Sequence, residues 1–203
     1  MRRRPLQAAR LYVITPDAPP ERVIDIATAA ARGGAEVLQL RHKTLPRGEL
    51  LDLARAIRVA IGDLLFVVND YVDIALLSGA DGVHLGPDDV SAKSARKVAG
   101  HRLLIGVSAS TVDAVPREAD YVGCGPAFAT PLKPQKGVIG PQGVASLAAA
   151  VKVPVFAIGG IDESNIGQLT ALGIHRACVI RAVADAADPE QATRRLRAML
   201  DSN

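Results

Sequence analysis

Val37-Leu38-Gln39-Leu40-Arg41-His42-Lys43 is the stretch that decides the fold class of this chain. Leu38 and Leu40 alternate with Gln39 and Arg41, the two-residue period of a β-strand, which turns the apolar side chains to one face and the polar ones to the other. Lys43 continues the polar row. An amide, a guanidinium and an ammonium in one row suit a core poorly and an anion well: Arg41 offers a planar fork for phosphate oxygens and Lys43 a mobile point charge. The competing assignment is an inward arginine satisfied by an acidic neighbour in a barrel layer. Three anion-compatible groups in one row favour the ligand.

The same kind of run recurs outward in both directions. Strand-like runs fall at 11–15, 37–41, 65–69, 82–86, 103–108, 121–125, 155–160 and 177–181. Between and after them, helical periodicity covers 21–32, 47–61, 72–78, 91–98, 112–119, 141–151, 163–172 and 189–200. Eight strands, each followed by a helix, imply parallel pairing, because the short connections leave no room for hairpins. The choice is then a closed (β/α)8 barrel or an open doubly wound sheet. Closure is favoured by short helices such as 72–78 and by polar groups at the ends of many strands: Thr15, Arg41, Asn69, Ser108 and Arg181. An open sheet gathers its ligand groups at a switch point, whereas a barrel draws them from all round its rim. Glycines at Gly33-Gly34, Gly79 and Gly173 sit where helices stop and carry no chemistry.

Composition bounds the class. With 203 residues, 49% of them hydrophobic, the chain can bury a substantial core, and no linker divides it. The expected α/β TIM barrel therefore spans 11–203 as one domain, after a flexible basic arm over 1–10 in which no apolar run reaches the length of a signal core. The 24 basic and 21 acidic residues nearly balance and aromatics are 3%, which argues against a nucleic-acid partner. No stretch approaches a membrane span. Cys124 and Cys178 lie in apolar runs with no CxxC pairing, as buried thiols do in a reducing compartment, so a cytoplasmic location is expected. His42, His84, His101 and His175 show no metal-ligand spacing.

Further groups complete an anion site. Asn69-Asp70 closes the run Phe66-Val67-Val68, and Asp88-Asp89 follows His84-Leu85-Gly86. Carboxylates from neighbouring strand ends can meet over a barrel mouth, and Mg²⁺ takes one or two carboxylates plus water and substrate phosphates. Either aspartate could instead cap the following helix. Beside Arg41 and Lys43, a metal bridging to a diphosphate accounts better for Asp70 and Asp89, with Asp88 as the cap or an outer partner. The long connection 126–140 holds Thr130, Lys133 and Lys136. Long loops in compact domains tend to be lids or binding loops. Lys133, nearer the strand end, is the candidate for a reacting phosphate, and Lys136 reads as solvated charge. Gly159-Gly160 falls between a strand and a helix, where bare N–H groups attract phosphate, although a tight turn explains a glycine pair equally well. Arg181 ends the last run at the same corner.

Gln39-Leu40-Arg41-His42-Lys43, Val68-Asn69-Asp70, Gly82-Val83-His84-Leu85-Gly86 with Asp89, Gly106-Val107-Ser108, Tyr121-Val122-Gly123-Cys124-Gly125-Pro126 with Thr130 and Lys133, and Ala157-Ile158-Gly159-Gly160-Ile161 follow one another in an order that resembles the thiamine-phosphate synthase family. The resemblance runs from Leu11 to about Val183. It implies a barrel enzyme that joins a hydroxymethylpyrimidine diphosphate to a thiazole phosphate, releasing pyrophosphate by a dissociative route. Carried over by position, Gln39, Leu40, Arg41, His42, Lys43 and Asn69 would hold the pyrimidine diphosphate, with Ser108 and Lys133 completing its pocket. Asp70 and Asp89 would bind Mg²⁺. Thr130, Pro131, Leu132, Gly160, Ile180 and Arg181 would hold the thiazole phosphate, and Arg41, Lys43, Ser108 and Lys133 would carry the catalysis. Two positions depart from the family pattern, which has threonine where Leu132 stands and serine where Arg181 stands. The other assignments are a tautomerase branch of the same barrel, which lacks the Gln-x-Arg-x-Lys and Asn-Asp patterns, a phosphate-ligand isomerase or epimerase, which needs a paired acid and base over the mouth, and a non-catalytic metabolite binder.

Overall fold

The two-residue alternation around Gln39 is realised eight times. The computed structural model describes residues 6–130 and 137–201. Strands β1 (Leu11–Ile14), β2 (Val37–Leu40), β3 (Leu65–Asn69), β4 (Gly82–Leu85), β5 (Leu104–Ser108), β6 (Tyr121–Cys124), β7 (Val155–Ile158) and β8 (Ala177–Val179) pair in parallel in chain order. β8 returns to β1 through Leu11 opposite Ala177 and Val13 opposite Val179, so the sheet has no free edge. Around it lie α1 (Pro20–Arg32), α2 (Arg47–Ile61), α3 (Val72–Ser78), α4 (Ala92–Ala99), α5 (Gly140–Ala150), α6 (Ile166–Thr170), α7 (Arg181–Ala184) and α8 (Pro189–Asp201).

Three local expectations change. The segment 112–119 forms only a 3₁₀ turn, Val112–Ala114, because Val115 precedes Pro116 and is extended at φ −92°, ψ 106°. The ring of a proline clashes with a helical residue before it. Arg181 is the first residue of the extra helix α7 rather than the end of β8, which stops at Val179. Leu6 to Arg10, expected within a flexible arm, instead belong to the packed domain: Leu6–Ala8 is a 3₁₀ turn, Leu6 and Ala9 join the barrel interior, and Arg10 donates to the Leu200 carbonyl at 2.7 Å. Residues 1–5 lie outside the described residues.

The alternation sorts the apolar residues into two clusters. Leu38 and Leu40 of β2 face outward, with Phe66 and Val68 of β3, against helix residues such as Ile26, Leu53 and Ile57. Val37, Leu65 and Val67 face inward with Tyr12, Tyr121, Phe156 and Cys178. Each fully buried leucine or phenylalanine contributes about 1.5–3 kcal/mol. The chain has only six aromatics, and three of them fill the axis: Tyr12, Tyr121 and Phe156 have ring centroids 5.4–5.9 Å apart.

A repeated ionic clamp closes the end where the strands begin. Glu36, Asp81 and Asp120 each stand immediately before an even-numbered strand. Their carboxylates accept the backbone N–H of Leu11, Phe66 and Ile105 on the preceding strand at 3.0, 3.0 and 2.7 Å. Each also takes a guanidinium from a helix: Arg197 at 2.9 Å, Arg58 at 2.8 Å and Arg96 at 2.6 Å. Every clamp therefore satisfies a strand N–H and ties a helix to the barrel floor. No helix among the described residues is long and apolar enough to cross a membrane.

Candidate active site

Where the strands end, a cavity of about 640 Å³ opens, lined among others by Gln39, Arg41, Asn69, Ser108, Thr130, Gly160, Ile180 and Arg181. These residues come from loops and strand ends around the whole rim, the place where a barrel builds its chemistry.

On one side β2 delivers the polar row. Gln39 is buried and points inward, and its amide nitrogen lies 3.4 Å from Asn69 Oδ1 at the end of β3. Arg41 reaches Asp17 in the loop after β1 with an N–O distance of 2.8 Å, while Asp17 also accepts the Lys43 backbone N–H at 2.5 Å. Burial alone would raise the Asp17 pKa, but the Lys43 N–H and the Arg41 guanidinium outweigh it and hold the carboxyl below its ordinary range. Thr15 Oγ1 accepts the Arg41 N–H at 3.0 Å, so the β1 loop shapes the end of the row. Leu40 faces the helices, and His42 is buried between loops with Nε2 3.0 Å from the Ala18 carbonyl. The side chains of Leu40 and His42 are thus turned to packing.

Beside the cavity, Lys43 Nζ lies 2.5 Å from Asp70 Oδ2. Asp70 is the one non-glycine residue with positive φ among the described residues, at 67°. The Tyr71 N–H bonds back to the Asn69 carbonyl at 2.8 Å around it, a γ-turn, and the Asp70 N–H bonds to the His84 carbonyl at 2.8 Å. A conformation of this kind costs about 1–3 kcal/mol and persists where surrounding structure enforces it. Neither expected aspartate caps a helix: α3 starts without a side-chain cap, and Ser91 rather than Asp88 caps α4 by accepting the Ser94 N–H at 3.1 Å. Asp89 accepts the Gly86 N–H at 2.7 Å, and burial followed by the neighbouring Asp70 carboxyl pushes its pKa up. The described residues contain no group of three or more histidine, cysteine or acidic ligands. Two adjacent carboxylates under an ammonium fit a hard cation that completes its shell with water and ligand oxygens, the habit of Mg²⁺, rather than a closed protein cage.

The opposite side is built by the last loops. Gly160 has φ +65°, and a Cβ there would overlap the Ala129 carbonyl oxygen, so the β7 loop passes directly against the segment bearing Thr130. Arg181 is exposed, lines the cavity and has no ion-pair partner among the described residues. Pro131, Leu132, Lys133 and Lys136 lie outside the described residues.

Two cavity residues were not singled out from the sequence. Asp17 sits in Thr15-Pro16-Asp17, directly after β1, and only its position at a strand end could have flagged it. His84 alternates with Val83 and Leu85, which makes it an inward residue of β4; metal-ligand spacing carries no sign of its bond to Ser108 Oγ, which Nε2 makes at 3.0 Å. Cys124 and Cys178 are free and buried, and burial pushes the Cys124 thiol up to about 11, so both stay protonated at neutral pH.

Comparison with known proteins supplies the context. A family model described as thiamine monophosphate synthase matches residues 11–183. A protein of Thermosynechococcus vestitus named thiamine-phosphate synthase is 43% identical over 201 residues, covering 96% of this chain and 57% of that protein. The chain thus spans little more than half of that relative's length. A Roseiflexus protein of the same name is 42% identical, covering 95% of this chain and 85% of its own. Among solved structures, a thiamine phosphate pyrophosphorylase from Pyrococcus furiosus superposes with a TM-score of 0.86 at 35% identity, covering 95% of this chain and 96% of that one.

Proposed function

The chain belongs to the thiamine monophosphate synthase family, and from that premise we propose that it condenses 4-amino-2-methyl-5-(diphosphooxymethyl)pyrimidine with 4-methyl-5-(2-phosphoethyl)thiazole, or its carboxylated form, giving thiamine monophosphate and pyrophosphate. The observation that carries this assignment is the convergence of two anion-compatible groups on one mouth: Gln39, Arg41, Asn69 and Ser108 on one side, Thr130, Gly160, Ile180 and Arg181 on the other.

In the proposed reaction the bond between the pyrimidine methylene carbon and the diphosphate oxygen breaks first, its electron pair leaving with pyrophosphate. The thiazole nitrogen then donates its lone pair to the pyrimidine-stabilised cation. The protein's task is to stabilise charge on the departing group, which the guanidinium of Arg41 and the ammonium of Lys43 do electrostatically, with Lys133 assigned to the same work. Asp70 and Asp89 would hold Mg²⁺, which when bound supplies further positive charge to the diphosphate oxygens. No step needs a strong general base, and the cationic row is the wrong equipment for an isomerase that needs a paired acid and base. The Gln-x-Arg-x-Lys and Asn-Asp patterns favour the synthase over the tautomerase branch. The free, buried cysteines support a cytoplasmic location for it.

The test is release of pyrophosphate by the full chain with each substrate alone and both together, with and without Mg²⁺, for wild type and Asp70→Ala. Release that requires both substrates and the metal, and falls by about 10²-fold or more in Asp70→Ala, is the expected result. Ligand binding without turnover would instead leave a metabolite-binding barrel.

Arg181 separates the two halves of the site. Arg181→Ala should raise KM for the thiazole phosphate by about tenfold or more, the value of a hydrogen bond to a charged group, and leave kcat nearly unchanged. An unchanged KM would remove Arg181 from that phosphate.

A further inference from the structure

A line of hydrogen bonds runs from the closed interior of the barrel to its mouth. Tyr12 and Tyr121 are both buried, with their hydroxyl oxygens 2.9 Å apart. Tyr121 Oη lies 3.3 Å from His84 Nδ1, and His84 Nε2 lies 3.0 Å from Ser108 Oγ, which faces the cavity. The line has room because small residues surround it. A Cβ at position 106 would overlap the Tyr121 ring and hydroxyl, and one at position 123 would stand 3.3 Å from His84 Cε1.

The protons on this line have one consistent arrangement. Tyr121 is the only hydrogen-bond partner of the Tyr12 hydroxyl among the described residues. If Tyr121 donated to Tyr12, the Tyr12 proton would be buried without an acceptor, a costly state. Tyr12 therefore donates to Tyr121, and Tyr121 donates its own proton to His84 Nδ1. Burial pushes both phenols above their usual range; the contact adds to the rise at Tyr12 and only partly opposes it at Tyr121, so both keep the protons this arrangement uses. With Nδ1 accepting, the neutral imidazole carries its hydrogen on Nε2 and donates it to Ser108 Oγ.

We infer that the buried Tyr12–Tyr121 pair is a positioning device that fixes His84 as the Nε2–H tautomer, so that the Ser108 hydroxyl can donate only outward, to an acceptor oxygen of the molecule bound in the mouth. With the opposite tautomer, Ser108 would donate to His84 and turn lone pairs toward an anionic ligand. On the proposed function that acceptor is an oxygen of the leaving diphosphate, and this part of the inference rests on that assignment. Tyr12 and Tyr121 are positioning residues; they act through His84 and Ser108.

The experiment uses the full chain labelled with ¹⁵N in its imidazoles. Two-bond nitrogen–proton correlations report the tautomer of each histidine, with His84 identified by loss of its signals in His84→Gln. His84 is expected wholly as Nε2–H in wild type. In the double variant Tyr12→Phe/Tyr121→Phe, which strands neither buried hydroxyl, His84 Nδ1 loses its donor and Nδ1–H should become populated, with melting temperature confirming an intact fold. Nδ1–H in wild type, or an unchanged tautomer in the double variant, overturns the inference. The kinetic arm expects Tyr12→Phe/Tyr121→Phe to lower kcat about five- to tenfold with little change in KM, and to add nothing further in Ser108→Ala, since groups acting through one hydroxyl are not additive. Additive losses also overturn it. Absence of turnover with both substrates would count against the proposed function, while the tautomer result would still decide the positioning role.

Discussion

Arg41→Ala is expected to lower kcat for pyrophosphate release by about 10²–10³-fold, the usual cost of removing one preorganised charge-stabilising donor from a leaving group. Arg41 is the only guanidinium that the β2 row brings to the cavity, and the structure holds it there from two directions. Its backbone N–H bonds Thr15, and its side chain bonds Asp17 at 2.8 Å. Arg41→Lys should recover only part of the loss, because an ammonium keeps the charge but not the planar fork. Asp17→Asn should cost about tenfold, since it weakens the grip on Arg41 while leaving the guanidinium in place. Steady-state release of pyrophosphate with both substrates saturating measures all three. A kcat unchanged in Arg41→Ala would take the guanidinium out of charge stabilisation altogether.

The second large effect concerns stability and lies at the other end of the barrel. Asp81→Ala should destabilise the fold by about 3 kcal/mol, as loss of one member of a buried pair does, and lower Tm by about 6–12 °C. The reason is double. Arg58, with its side chain only 20% exposed, loses its carboxylate at 2.8 Å, and the Phe66 N–H loses its acceptor. Asp81→Asn keeps an acceptor for Phe66 and should cost less. Denaturant melts followed by circular dichroism provide the comparison, and kcat of the folded variant should match wild type because the clamp stands at the strand beginnings, away from the cavity. A loss below about 0.5 kcal/mol would show the clamp to be a solvated surface pair.

Much of this architecture was legible in the sequence because it rests on period and order. The alternation about Gln39 put Leu38 and Leu40 on one face and Gln39 on the other, as the barrel's outer and inner faces now show, and the eightfold strand–helix count with polar strand ends correctly favoured closure. What was less legible depends on geometry that no period encodes. The 112–119 segment carries helical residues but is stopped by Pro116. The clamp carboxylates at Glu36, Asp81 and Asp120 read singly as ordinary surface charge, since their partners are 15 to 161 residues away in the chain. Asp17 and His84 escaped for the same reason: their meaning comes from Arg41 and Ser108, which other strands bring to them.

The clamps at the barrel floor also bear on how such a molecule can change over time. Strands of four to five residues separate them from the mouth, a span of about 13–17 Å. Mechanical load and chemistry are thus housed on opposite storeys of one small building. A lineage can redraw an upper-storey side chain such as Arg181, exploring new ligands, while the foundations go on holding the walls upright.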